Sequence, residues 1–127
     1  MGRLRSEALP KDKRLTKRRE FVRVYETGQK QFSRYSVLFV AANDLPHSRI
    51  GITATKKAGK ATVRNRLKRW TREVYRRKCE PLGLDALSLD IVVNVKPNAA
   101  ATTFHDFDRD LSRGLERIVA DAARRKA

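Results

Sequence analysis

The chain has 127 residues, 40% of them hydrophobic, which suits one domain with one modest core. Its 30 lysines and arginines face 14 aspartates and glutamates, a net charge of +16 that sets it apart from ordinary soluble enzymes and makes a polyanion the first partner to consider. A single cysteine, Cys79, excludes an internal disulfide framework and a cysteine zinc cluster, and no apolar run nears the roughly 18 residues of a membrane-spanning helix.

The charge is not evenly spread. Residues 1–79 hold 23 Lys and Arg against 6 Asp and Glu, whereas residues 80–127 hold 7 against 8. A surface made cationic for solubility alone has no reason for such asymmetry; a binding footprint has. Residues 1–9 are charged but lack the apolar stretch of a secretory signal, so a cytoplasmic protein is expected.

Residues 1–14, with Arg3, Arg5, Lys11, Lys13 and Arg14, read as a flexible basic arm in which Pro10 breaks any helix. A first helix is predicted over 17–27, with Thr16 as N-cap, Phe21, Val24 and Tyr25 at helical spacing, and Gly28 as the stop. Residues 31–42 turn to strand, with Val37, Phe39 and Ala41 on one face and Leu38, Val40 and Ala42 on the other. A turn over 43–47 leads to a second strand at 49–55, and so short a connection predicts an antiparallel hairpin. After a basic loop at 56–61, a long helix over 61–78 carries Val63, Leu67, Trp70 and Val74 in one narrow sector. Residues 80–87 read as a loop, 88–95 as the most apolar strand, and the last helix starts near Thr103. Its stripe is Phe104, Phe107, Leu111, Leu115, Ile118 and Ala122. Residues 15–122 are thus expected to form one α+β domain, a sandwich with a single small sheet of about four strands and three helices, whose basic excess makes RNA the expected partner, and 123–127 a basic tail that should fray.

Residues 56–78 hold 11 Lys and Arg against Glu73 alone. The apolar stripe docks this helix on a core, so the cations opposite it, Lys68, Arg69, Arg72 and Arg76 with Asn65 among them, are fixed in space. Fixed arginines fork onto phosphates with less entropy loss than a floppy tail. Such a face can also be merely solvated, but solvated faces usually alternate in sign. Other motifs fail on inspection. Gly59-Lys60 lacks the remaining P-loop residues. Asp106, Asp108 and Asp110 start like a calcium loop, but Leu111 and Arg117 stand where its glycine and glutamate belong. His47 and His105, the only histidines, lie far apart along the chain and make a poor acid–base pair.

The stretch from Lys56-Lys57-Ala58-Gly59-Lys60-Ala61 to Arg64-Asn65-Arg66-Leu67-Lys68-Arg69, with Arg72 beyond it, resembles the signature of the protein subunit of bacterial ribonuclease P. Arg14-Leu15, Glu20-Phe21, Val24-Tyr25, Gly28, Arg34, Val37, Phe39 and Lys96-Pro97 extend the resemblance over about residues 13–120. The resemblance implies a left-handed βαβ crossover, against the usual hand. It also implies an RNA-based endoribonuclease that removes the 5′ leader from precursor tRNA. Its partners are a catalytic RNA subunit and precursor tRNA, with no membrane and no obligatory protein partner. The RNA subunit carries catalysis and holds most of the Mg2+, so the protein supplies no catalytic residue and no metal site; it aids substrate and metal binding. By position, Lys56, Lys57, Arg64, Asn65, Arg66, Lys68, Arg69 and Arg72 form the RNA-binding helix region, and Phe21, Tyr25, Val37 and Phe39 line a cleft for the single-stranded leader. Read from the residues alone, those four are ordinary core positions. The alternative function is that of a structural protein binding ribosomal RNA, a class that shares small size, high charge and α+β folds.

Overall fold

The most apolar strand of the sequence takes the centre of the sheet. The computed structural model describes residues 9–126. Residues 1–8 of the expected arm, with Arg3 and Arg5, and the final Ala127 lie outside the described residues. The strands are β1 (Gln29–Phe32), β2 (Ser36–Ala42), β3 (Arg49–Ala54) and β4 (Leu89–Val95), and the main helices are α1 (Arg18–Thr27), α2 (Ala61–Leu82) and α3 (Phe104–Lys126). The sheet order is β1-β2-β4-β3, with β4 antiparallel to β2 and parallel to β3.

The expected hairpin of the strands at 31–42 and 49–55 therefore does not form; β4 lies between them. Ile91, Val92 and Val93 are fully buried, and a strand buried on both faces belongs inside a sheet rather than at its edge. The short 43–48 connection passes over the start of β4 and is stitched to it. The Asn43 amide donates to the Ser88 carbonyl (2.9 Å), Ser48 Oγ donates to the Leu84 carbonyl (2.6 Å), and the Leu89 amide donates to Ser48 Oγ (2.9 Å). The single strand expected over 31–42 is also two strands, β1 and β2, paired antiparallel around residues 33–35.

Element ends differ from expectation where a distant partner intervenes. Glu20 Oε1 accepts from the backbone amides of both Thr16 and Lys17 at 3.0 Å, so Lys17 rather than Thr16 is the N-cap of α1. Helix α2 runs on through Pro81 to Leu82, and Gly83, in the left-handed region at φ 69°, ends it by donating to the Cys79 and Glu80 carbonyls. Thr103 caps α3 as expected, its Oγ1 accepting from the Asp106 amide at 3.1 Å. That helix continues through the tail expected to fray, as far as Lys126. Of the expected arm, residues 9–14 are docked: Lys13 pairs with Asp85 at 2.8 Å, and the Leu15 amide donates to Ile50 on β3 at 2.9 Å.

The sheet, α2 and α3 enclose the main core, in which Leu38, Leu67, Val74, Ile91, Val93, Phe107 and Leu115 are fully buried. Thr71 and Tyr75 are buried in it too, widening the α2 stripe beyond its predicted members. On the opposite face of the sheet, α1 sets Val24 against Leu15, Ala41 and Val92, with Phe21 and Phe39 half-buried at the edge.

Candidate nucleic-acid interface

Helix α2 presents its cations as its apolar stripe dictates. Asn65, Arg69 and Arg72 are exposed, and Arg64 and Lys68 are half-exposed beside them. Arg64 Nε donates to the Gly59 carbonyl at 3.1 Å, which ties the start of the helix to the basic turn where Lys56 and Lys57 are exposed. Arg66 is set apart. Its guanidinium lies 5.2 Å from the Trp70 ring and Nη2 donates to the Ala100 carbonyl at 3.2 Å, so it faces its own protein. Trp70 packs edge-on to Phe104 at 5.6 Å, the core role expected of it.

The cleft residues come together on the sheet face that α1 only partly covers. Phe21 and Tyr25 lie one turn apart on α1, and Tyr25 meets Phe39 edge-to-face at 4.8 Å. The Tyr25 hydroxyl donates to Asn94 Oδ1 at 2.9 Å, and Thr53 Oγ1 donates to the same oxygen at 2.5 Å. Register places Phe32, Val37, Asn94 and Thr53 in one row across the four strands, with Lys30, Phe39, Val92 and Gly51 in the next. Gly51 makes room for Phe21, since a Cβ there would stand 2.6 Å from the ring. Phe21 and Phe39 are half-buried and Tyr25 is 36% exposed, so these rings are neither core nor free surface.

Phe21 of the predicted cleft and Lys68 and Arg72 of the predicted helix face meet in one place. A cavity of about 210 Å³ is lined by Phe21, Gly51 and Ile52 on one side and by Arg14, Lys68 and Arg72 on the other. Although Arg72 is exposed as a residue, partial desolvation where it borders the cavity, and then repulsion from Arg14 and Arg69, lower its pKa. Positive charge is crowded there, and an anion would relieve the crowding.

Sequence reasoning missed the polar anchor beneath the site. Asp90 is fully buried and accepts from Arg49 Nε (2.9 Å) and Nη2 (2.7 Å), from Arg23 Nη2 (2.5 Å) and from Asn43 Nδ2 (2.8 Å). Arg49 also pairs with Glu20 at 2.9 Å. Burial pushes the Asp90 carboxyl up, but the arginines and Asn43 outweigh it and hold the group below the usual carboxylate range. The signal was present in the sequence as an acid inside the most apolar strand, a position that demands a partner. Lys30, Phe32 and Asn94 were missed as well.

Asp108 is engaged by Arg77 at 3.1 Å and Ser112 at 3.0 Å, and Asp110 by backbone amides of Arg34 and Tyr35. Among the described residues no cluster of three His, Cys, Asp or Glu is arranged to hold a metal ion. No helix among them is long and apolar enough to cross a membrane.

Comparison with known proteins agrees with this geometry. The family model described as Ribonuclease P matches residues 9–119. The ribonuclease P protein component of Syntrophus aciditrophicus is 38% identical over 105 residues, covering 81% of this chain and 84% of that one. The solved RNase P protein of Thermotoga maritima superimposes with a TM-score of 0.73 at 33% identity, over 82% of this chain and 96% of that one. That of Staphylococcus aureus gives 0.76 at 29% identity, over 84% and 94%. These relatives lend no support to the ribosomal alternative. A basic helix face, an aromatic cleft and a mixed four-stranded sheet thus coincide with matches across most of the sequence, and the chain belongs to the ribonuclease P protein family.

Proposed function

We propose that the chain is the protein component of a ribonucleoprotein endonuclease that removes the 5′ leader from precursor tRNA in the cytoplasm. In this reading a separate RNA subunit carries the catalytic centre and holds the magnesium. The protein docks on that RNA through Lys56, Lys57, Arg64, Asn65, Lys68, Arg69 and Arg72, and seats the single-stranded leader on Phe21, Tyr25, Val37 and Phe39.

The observation that carries the reading is the shared cavity of Phe21 with Arg14, Lys68 and Arg72. A base stacked on an aromatic ring gains about 1–3 kcal/mol with little sequence preference. Its phosphate, meanwhile, needs a cation held close by and already ordered. One concave surface supplies both, and so suits a strand of variable sequence beside a large polyanion. The cations also screen repulsion between the RNA subunit and its substrate.

The test is cleavage of precursor tRNA by purified components. The protein alone should leave the precursor intact, and adding the cognate RNA subunit at physiological magnesium should give mature 5′ ends. Robust cleavage by RNA-free protein would defeat the proposal. Stoichiometric co-sedimentation with a ribosomal subunit would return the ribosomal reading.

A further inference from the structure

One large apolar side chain stands out from the fold without serving its core: Phe32, at the end of β1, is 64% exposed. A single exposed ring is unremarkable by itself; its setting is not. Lys30 Nζ lies 5.4 Å from the centre of the Phe32 ring and 5.5 Å from that of Phe39, while Phe39 in turn meets Tyr25 at 4.8 Å. Tyr25, Phe39, Lys30 and Phe32 therefore form an unbroken file of aromatic, aromatic, cation and aromatic, leading from the cleft to the outer edge of the sheet. Lys30 makes no ion pair with an acidic side chain among the described residues.

The turn that follows Phe32, in which Arg34 is exposed and Tyr35 buried, is held by contacts from distant segments. Arg117 Nη2 donates to the Phe32 carbonyl (3.1 Å), Lys96 Nζ to that of Ser33 (2.7 Å) and Asn98 Nδ2 to that of Arg34 (3.1 Å). The Asp110 carboxylate accepts from the Arg34 (3.2 Å) and Tyr35 (3.0 Å) amides, and the Lys96 amide donates to the Tyr35 carbonyl (2.8 Å). Two elements, α3 and the segment after β4, thus fix the turn through which the edge strand β1 joins β2. Such pre-organisation lowers the entropy lost when a ligand settles on the ring.

We infer that Phe32 and Lys30 form a further nucleotide subsite, in which a base of single-stranded RNA stacks on the Phe32 ring and its phosphate meets Lys30. The subsite rests on the reading of the cleft as a single-strand site and extends that strand past Tyr25 and Phe39 to the β1 edge. A duplex does not fit this chemistry, because its bases have no free faces to offer. A flat ring beside a cation suits a strand of any sequence.

The test uses the full-length protein and fluorescein-labelled oligouridylates of increasing length, read by fluorescence anisotropy. Phe32→Ala should leave short oligomers, which fill only the cleft, at wild-type affinity. It should weaken longer ones about 5- to 150-fold, the equivalent of one stacked base. Phe32→Trp should restore binding, whereas Phe32→Leu, which keeps an apolar side chain but no flat face, should not. Tyr25→Ala serves as the reference and should weaken oligomers of every length. If Tyr25→Ala weakens binding and Phe32→Ala does so at no length, the subsite is overturned and the cleft reading stands. If neither variant weakens binding, the cleft reading falls and takes the subsite with it. If Phe32→Ala changes the sedimentation coefficient but no RNA affinity, the ring belongs to a contact between copies of the chain, which also overturns the subsite.

Discussion

Arg66 and Arg69 stand three residues apart on α2 and face different surroundings, which gives them separable signatures. Arg69 is exposed, so if it meets one phosphate of the RNA subunit, Arg69→Ala should lower the log–log salt slope of binding by about one unit and leave the melting temperature unchanged. Arg66 lies over Trp70 and bonds the Ala100 carbonyl. Its removal should instead destabilise the fold by roughly 1–2 kcal/mol, the sum of a partly buried cation–π contact and a hydrogen bond, with the slope little changed. Binding across a salt series, paired with thermal melts of both variants, checks the contrast. Gly51 gives a second residue-scale expectation. A methyl there would meet the Phe21 ring at 2.6 Å, so Gly51→Ala should push the ring out of its place and weaken single-stranded RNA binding, as anisotropy would show. The cations were legible in the sequence because a run of like charge needs no fold to be seen. The inward turn of Arg66 was not, because it depends on Trp70 being half-buried beside it. Phe32 and Lys30 were hidden for a related reason: their common face with Phe39 exists only once β1 folds back on β2.

Helix α1 forms one wall of the cleft, and its apolar hold on the sheet through Val24 is reinforced by an ionic network. Glu20 caps the helix and reaches Arg49, Arg49 reaches Asp90, and Arg23 closes on Asp90 from the helix itself. Burial raises the Glu20 and Asp90 carboxyls, but their hydrogen bonds and cations prevail, leaving both below their ordinary values. An unfolded chain takes up these protons near pH 4, so it binds more protons than the folded chain just below that point. The stabilisation is therefore complete above about pH 5 and is lost as pH falls through that range toward the lowered folded values. Asp90→Asn should remove Asp90's share of the acid dependence, leaving that of Glu20, and, by taking the buried partner from Arg23 and Arg49 while Arg49 keeps Glu20, reduce stability at neutral pH by about 3 kcal/mol. Arg23→Gln, which removes only the more exposed arginine, should cost less and keep the fold. Urea melts across a pH series measure both. At this scale the sequence was informative about which elements exist, since α2 and α3 declare themselves by the spacing of Leu67 and Val74, and of Phe107, Leu111 and Leu115. It was silent on strand order, because the alternation in β2 and β3 suits any neighbour. The choice of β4 follows from its burial and from the Ser48 and Asn43 stitches over 36 and more residues of chain. The break at residues 33–35 contains no Gly or Pro and is made by Asp110, 75 residues away.

For the whole molecule, the arrangement separates two tasks by direction. The outer face of α2 carries exposed charge, while the cleft between α1 and the sheet holds rings at intermediate exposure, and the Arg14, Lys68 and Arg72 cavity joins them. If the leader of precursor tRNA occupies that cleft, the protein should discriminate between precursor and mature tRNA, because only the precursor has a single strand to stack. Tyr25 is the informative probe. Its ring is 36% exposed, so its loss does not open the core, and its hydroxyl fixes it to Asn94 in the floor of the cleft. In the assembled ribonucleoprotein, Tyr25→Ala should weaken precursor tRNA by roughly 1–3 kcal/mol, about 5- to 150-fold, and leave mature tRNA near wild type. Tyr25→Phe keeps the ring and should retain most of the affinity, its loss limited to that of one hydrogen bond, about 1 kcal/mol. Circular dichroism of each variant controls for folding. An equal loss for precursor and mature tRNA would show that Tyr25 supports the domain rather than the leader, and would reassign these rings to the core that their apolar character first suggested.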